Sequence, residues 1–159
     1  MVVFLNVLFK KQRHKKFLFV IRVDKDKMAI KYNIDEGIMK RVYEIVKTLG
    51  EDQEHVRLSG VYAVRSHGST SRGVLARCHA LGKIWQLALG IKAVYIIEVI
   101  NERFEKLSKE DQNRVLIHEI MHIPKSFGGG FKHHDTVNHR TVEKMYKKYV
   151  LAREGKEVK

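Results

Sequence analysis

The chain has 159 residues, enough for one sizeable hydrophobic core and too few for two, so it reads as a single domain that must build any site within that core. Its 31 Lys+Arg against 18 Asp+Glu leave a formal net charge of +13, which favours acidic partners such as nucleic acid, anionic lipid or an acidic protein surface. The only cysteine, Cys78, excludes an intramolecular disulfide framework and a zinc site made mainly of thiolates, and it fits a reducing, cytoplasmic location.

The apolar stretch Met1 to Phe9, broken by Asn6, is far shorter than the roughly 20 residues of a membrane-spanning helix. Lys10, Lys11, Arg13, Lys15 and Lys16 follow that stretch, whereas a secretory signal carries its basic residues first. Neither a membrane span nor export is expected. Residues 1 to 27 read as a basic N-terminal extension, a solvated or weakly ordered tail, and residues 28 to 155 as the folded domain.

Ile38, Val42, Ile45, Val46 and Leu49 recur on one face of a helix, and Gly50 offers its stop, which predicts a helix over 35–49. From Val56 to Arg65 the pattern turns β-rich. A polar loop, Ser66 to Gly73, leads into a second strand at Val74 to His79, and the pair reads as a hairpin. Residues 82–89 fit a short helix or a strand equally, whereas Ile91 to Ile100 is a strongly apolar strand that runs directly toward the next helix.

Ser108, with Asp111 three residues on, resembles a capping box and starts a helix near Lys109, with Val115, Leu116, Ile120 and Ile123 as its apolar positions. Pro124 stops that helix near His122 or Ile123, because the residue before a proline avoids the helical region and proline has no amide hydrogen. A final helix over 138–152 follows from Val142, Met145, Tyr146, Tyr149 and Val150.

The chemistry concentrates in His118-Glu119-Ile120-Met121-His122, an H-E-x-x-H run at the end of the Lys109 helix. Residues i and i+4 share a helix face, so both imidazoles point at one ion while Glu119 stands beside the open coordination position. Catalytic zinc takes three protein ligands and keeps one position for water. His134 is the first choice for the third, because Gly128-Gly129-Gly130 lets the chain fold back; His133 and Glu143 are the alternatives. Lys125 and Gly128 stand where a metzincin needs Gly and His, which rejects that subclass. Arg65, His67, Tyr146 and Tyr149 are the candidates for stabilising an oxyanion.

Other signals have simpler explanations. Gly68 to Gly73 lacks the Lys and Ser/Thr of a phosphate loop, with Val74-Leu75 in their place. Adjacent strand residues face opposite ways, so Cys78 and His79 are no nucleophile and base, and Cys78 is expected to be buried with Val74 and Ala76. Trp85 with Tyr95, and Tyr146 with Tyr149, read as core packing rather than as base-stacking platforms.

The run from His118 through Pro124 to Gly130, with His134 beyond it, resembles a family of metallopeptidases from archaea and phages related to the SprT-like minimal zincins. The similarity extends back through Arg65-Ser66-His67-Gly68-Ser69, Ala76-Arg77, Ile84-Trp85-Gln86 and Tyr95 to Ile100, covering about Ile30 to Val150. It implies a zincin-like α+β fold: a small, mostly antiparallel sheet, an active-site helix beneath a cleft-bordering strand, and flanking helices. It also implies a His at His134, with Pro common at the place of His133.

These readings converge on a zinc endopeptidase with His118, His122 and His134 as ligands and Glu119 as general base, acting on a protein or peptide. The alternatives are a basic nucleic-acid-binding protein with a structural zinc site, or a SprT-like protease acting on DNA-bound proteins. Nothing in the pattern specifies an oligomeric state.

Overall fold

β-Branched and aromatic residues in alternation make the strands, and their pairing decides what the site is built on. The computed structural model describes residues 30–155; the basic extension expected at residues 1 to 27 lies outside them. Four strands, β1 (Lys31–Ile34), β2 (Val61–His67), β3 (Ala76–Ala80) and β4 (Tyr95–Ile100), form one sheet in the order β1-β2-β4-β3. β1 runs antiparallel to β2 and β3 antiparallel to β4, while β2 and β4 are parallel, so the sheet is mostly antiparallel.

The expected hairpin between the second and third strands does not form, because β4 lies between them. The physical reason is burial. β4 is the most apolar strand, with Tyr95, Ile97, Val99 and Ile100 all buried, and a strand of that kind belongs at the centre of a sheet. The polar segment from Gly68 to Leu75 is too long for a tight hairpin turn and carries the chain across to the far edge. β1 was hidden from pattern reading because all four of its residues are exposed.

Two helices, α1 (Glu36–Leu49) and α4 (Lys109–Met121), pack on the sheet, and α5 (His139–Arg153) packs against both of them. Between β3 and β4 lies α2 (Lys83–Leu89), and a single turn, α3 (Asn101–Phe104), separates β4 from α4 where direct succession was expected. α1 buries Ile38, Val42, Ile45, Val46 and Leu49, the face its periodicity predicts, and Asp35 caps it by accepting the Ile38 amide at 2.9 Å. Arg41 ties α1 to α4 by donating to Gln112 at 2.7 Å and Asn113 at 2.6 Å. Leu116, Ile117 and Ile120 of α4 pack with Tyr95, Ile97 and Val99 in the core, which seats the end of α4 directly beneath the sheet.

Among the described residues no helix is long and apolar enough to cross a membrane. Trp85, expected in the core, is exposed, whereas Tyr95 is fully buried and meets Phe127 edge-on. Tyr146 and Tyr149 are buried on α5. Cys78 is partly buried, and burial raises its thiol to about 12, so it is inert at neutral pH.

Candidate metal centre

Helical periodicity sets the first two candidate ligand positions, His118 and His122, and the cap sets their height. The Ser108 hydroxyl accepts the Asp111 amide at 3.1 Å to start α4, and the last regular residue is Met121, with His122 as the C-cap. Carbonyls freed at that end find partners: His122 O accepts the Lys132 amide at 2.9 Å and Ile123 O accepts His55 Nε2 at 3.1 Å.

The glycine-rich return brings the chain back. Gly129 has φ +87°, and a Cβ there would overlap the Gln86 amide and the Leu81 carbonyl, so only glycine fits. The buried Tyr95 hydroxyl accepts the Gly129 amide at 2.9 Å and donates to Gly130 O at 3.0 Å. Gln86 Nε2 donates to Gly128 O at 3.1 Å. Two side chains from outside the motif therefore pin the loop that carries Lys132 and His134.

The ligand nitrogens of His118, His122 and His134 lie within 4.8 Å of one another. His122 Nδ1 donates to the Lys132 carbonyl at 2.6 Å, which fixes the tautomer and leaves the Nε2 lone pair facing His118 Nε2 at 3.0 Å. A tetrahedral ion bonded at about 2.0–2.1 Å holds its nitrogens about 3.3 Å apart, so the His118–His122 pair stands close to a ligating spacing. Burial, then the neighbouring His122 and His134, lower His118 to about 4, and burial also lowers His122. Both rings are thus held neutral, the form that binds metal.

Glu119 is buried and lines a cavity of about 820 Å³ whose lining also includes Gly73 to His79 and Phe131 to His134. Burial pushes its carboxyl up to about 7, against a hydrogen bond from the Cys78 backbone N–H. That bond reflects the phase of β3. Ile100 donates to Leu75 O at 2.9 Å and Leu81 donates to Val94 O at 2.8 Å, so odd-numbered residues of this stretch bond to β4. Ala76, Cys78 and Ala80 then turn their backbone groups to the sheet's free edge, where Ala76 and Cys78 line the cavity.

A family model described as "Putative phage metallopeptidase" matches residues 30–159, most of the chain. The chain belongs to this family. No curated protein and no solved structure shows significant similarity to it.

For a member of this metallopeptidase family a metal ion and a protein or peptide substrate follow, and the chain's own donors fit the ion. Three imidazoles converge, one is oriented by a backbone carbonyl, and none is committed to a carboxylate by a described hydrogen bond. The other two ligand candidates, His133 and Glu143, also line the cavity but stand outside the three-histidine group. Glu143 accepts Arg114 Nε at 3.0 Å. Arg65 is engaged by Asp35, Asn101 and Glu105, and neither it nor His67, Tyr146 or Tyr149 lines the cavity. The side chains that do line it include the cations Arg77, Arg114 and Lys132 and the imidazoles of His79 and His139. Sequence reading missed Gln86, Tyr95 and the Cys78 amide, since backbone groups and loop braces leave no residue-type signature.

Proposed function

We propose that the protein is a zinc-dependent endopeptidase of the zincin-like, SprT-related kind, with His118, His122 and His134 holding the ion and Glu119 as general base. The observation that carries this reading is the buried Glu119 carboxyl beside three converging imidazoles, beneath the free edge of β3. When bound, the ion supplies Lewis acidity toward the scissile carbonyl and acidifies a water molecule.

Everything else falls to the chain. The free edge of β3 offers main-chain donors and acceptors at Ala76 and Ala80, which suits an extended polypeptide laid alongside as an added strand. Glu119 takes the water's proton and returns it to the leaving amine; a carboxyl raised by burial is suited to that exchange near neutral pH. The Cys78 amide holds the carboxylate in register with the strand that presents the substrate. A cytoplasmic location belongs to the same proposal and rests on the single unpaired cysteine.

The test is turnover of an unstructured protein by the zinc-loaded full chain. Glu119→Gln is expected to keep the metal and lose about 10²–10⁴-fold in kcat. A variant that cleaves as fast as wild type removes Glu119 from the mechanism.

A second reading, a nucleic-acid-binding protein with a structural zinc site, draws on one observation. Arg140, Lys144 and Lys147 line a groove that shares His139 and Glu143 with the cavity wall. On that reading binding to a short duplex weakens steeply with salt, and reversing those three charges lowers the salt slope by about 0.9 for each phosphate no longer neutralised. Salt-independent or absent binding eliminates it.

A further inference from the structure

The segment between β3 and β4 does something unusual with its side chains. None of the seven residues of α2 is buried, although its sequence is mostly apolar: Leu87 is 85% exposed, Ile84 77% and Trp85 61%. Leu89 and Ile91 beyond it are exposed as well. So short a helix does not persist on its own propensity. It is held from outside by Gly90, whose left-handed φ of 64° caps its end, and by Gln86, which donates to Leu81 O at 2.6 Å and Gly128 O at 3.1 Å. The fold thus anchors α2 through its one polar inward residue and leaves its large apolar side chains in water, the arrangement of a contact surface.

What meets that surface follows from where it lies. β3, whose free edge forms one wall of the cavity, passes through Leu81 and Gly82 straight into α2. A second lining segment, Phe131 to His134, follows the return loop that Gln86 ties to α2 at Gly128, and its Phe131 is exposed. Both lining segments are therefore joined to α2, one by chain continuity and the other by the Gln86 bond, and α2 lies just beyond the cavity lining.

We infer that α2 and Phe131 form an apolar subsite for the substrate, one that takes large aliphatic or aromatic side chains of an extended, unfolded polypeptide on one side of the bond cut. This rests on the metallopeptidase reading above. Cys78 marks the level of Glu119, and a strand advances about 3.3 Å per residue, so a chain laid along β3 reaches α2 roughly three to five residues from the scissile bond. Large apolar residues are buried in folded proteins, so the subsite selects chains that have lost their structure.

Trp85 is the chain's only tryptophan, which makes intrinsic fluorescence a direct probe of α2. The full-length Glu119→Gln protein, loaded with zinc, is titrated with two synthetic peptides that differ only in whether Leu and Phe, or Ser, occupy those positions. A saturable blue shift is expected for the Leu/Phe peptide, with affinity about tenfold above that of the Ser peptide, and Leu87→Ser is expected to abolish the difference. Leu87 is so exposed that the variant is expected to melt like the parent, and far-ultraviolet circular dichroism checks that it does.

Equal affinities without a shift overturn the subsite. A shift produced by anionic vesicles and not by peptide overturns it in favour of a membrane contact, and a shift that grows with protein concentration alone overturns it in favour of self-association. Wild-type cleavage of both peptides with a silent Trp85 leaves the peptidase standing and removes the subsite. A peptide-induced shift with no cleavage by wild type does the reverse.

Discussion

Glu119 and His118 are neighbours on one helix, yet burial moves them in opposite senses, each toward its neutral form. The carboxyl rises to about 7 and the imidazole falls to about 4. A cation arriving at the three imidazoles reverses the balance for the carboxyl, because a nearby positive charge favours the ionised form. Metal uptake is therefore expected to expel the Glu119 proton. The extra protons released by wild type over Glu119→Gln are expected to number about one at pH 6, about half at pH 7 and close to none at pH 8. Calorimetric titration in buffers of different ionisation enthalpy measures this. Equal release by the two proteins at pH 6 sinks the idea that Glu119 is held protonated.

At the scale of elements, the return loop carries the most consequence per residue. Gly129→Ala puts a Cβ against the Leu81 carbonyl and the Gln86 amide in a left-handed backbone that disfavours any side chain. It is expected to destabilise by about 1–3 kcal/mol and to weaken metal binding at least tenfold, since His134 and the Lys132 carbonyl move with the loop. Competition with a chromogenic chelator reads the second effect. Tyr95→Phe removes the hydroxyl that bridges Gly129 and Gly130 while keeping the ring against Phe127. The Gly129 amide then loses its partner, at a cost of about 1–3 kcal/mol, and metal affinity falls in the same direction. Wild-type affinity in Tyr95→Phe would show that the loop holds its shape without this brace.

For the whole molecule, the helix layer and the metal centre share a foundation. Leu116 is fully buried on α4, just before the H-E-x-x-H run, so Leu116→Ala is expected to cost about 2–5 kcal/mol in denaturant unfolding. The metal adds stability by mass action: free ion at about 100 times its dissociation constant contributes about 2.7 kcal/mol. A chelator is therefore expected to lower the melting temperature of wild type and to leave His134→Ala nearly unmoved. Equal shifts in both proteins would put the third ligand at another residue.

Much of this was legible in the residues themselves. The helices α1, α4 and α5 follow from apolar periodicity, the start of α4 from Ser108 and its end from Pro124, while the caps at Asp35 and Asn138 emerge only in the structure. These are local properties, because a helix closes its hydrogen bonds within its own segment and its buried stripe repeats every turn. The i, i+4 histidines belong to the same class, since their shared face needs no other part of the chain. The family resemblance carried by the H-E-x-x-H segment likewise lies in the residues themselves.

Strand order is of another kind: a strand's partners are chosen by burial of whole surfaces, so β4 displaced the expected hairpin and β1, all exposed, left no pattern. The brace at Tyr95, the Cys78 amide on Glu119 and the exposed Trp85 likewise depend on which segments meet across the fold. The sequence by itself determined which chemical groups the protein has and which of them share a helix. Only the tertiary structure decided which groups from distant segments stand around them, because backbone donors, loop braces and surface exposure are products of long-range packing and have no residue-type signal of their own.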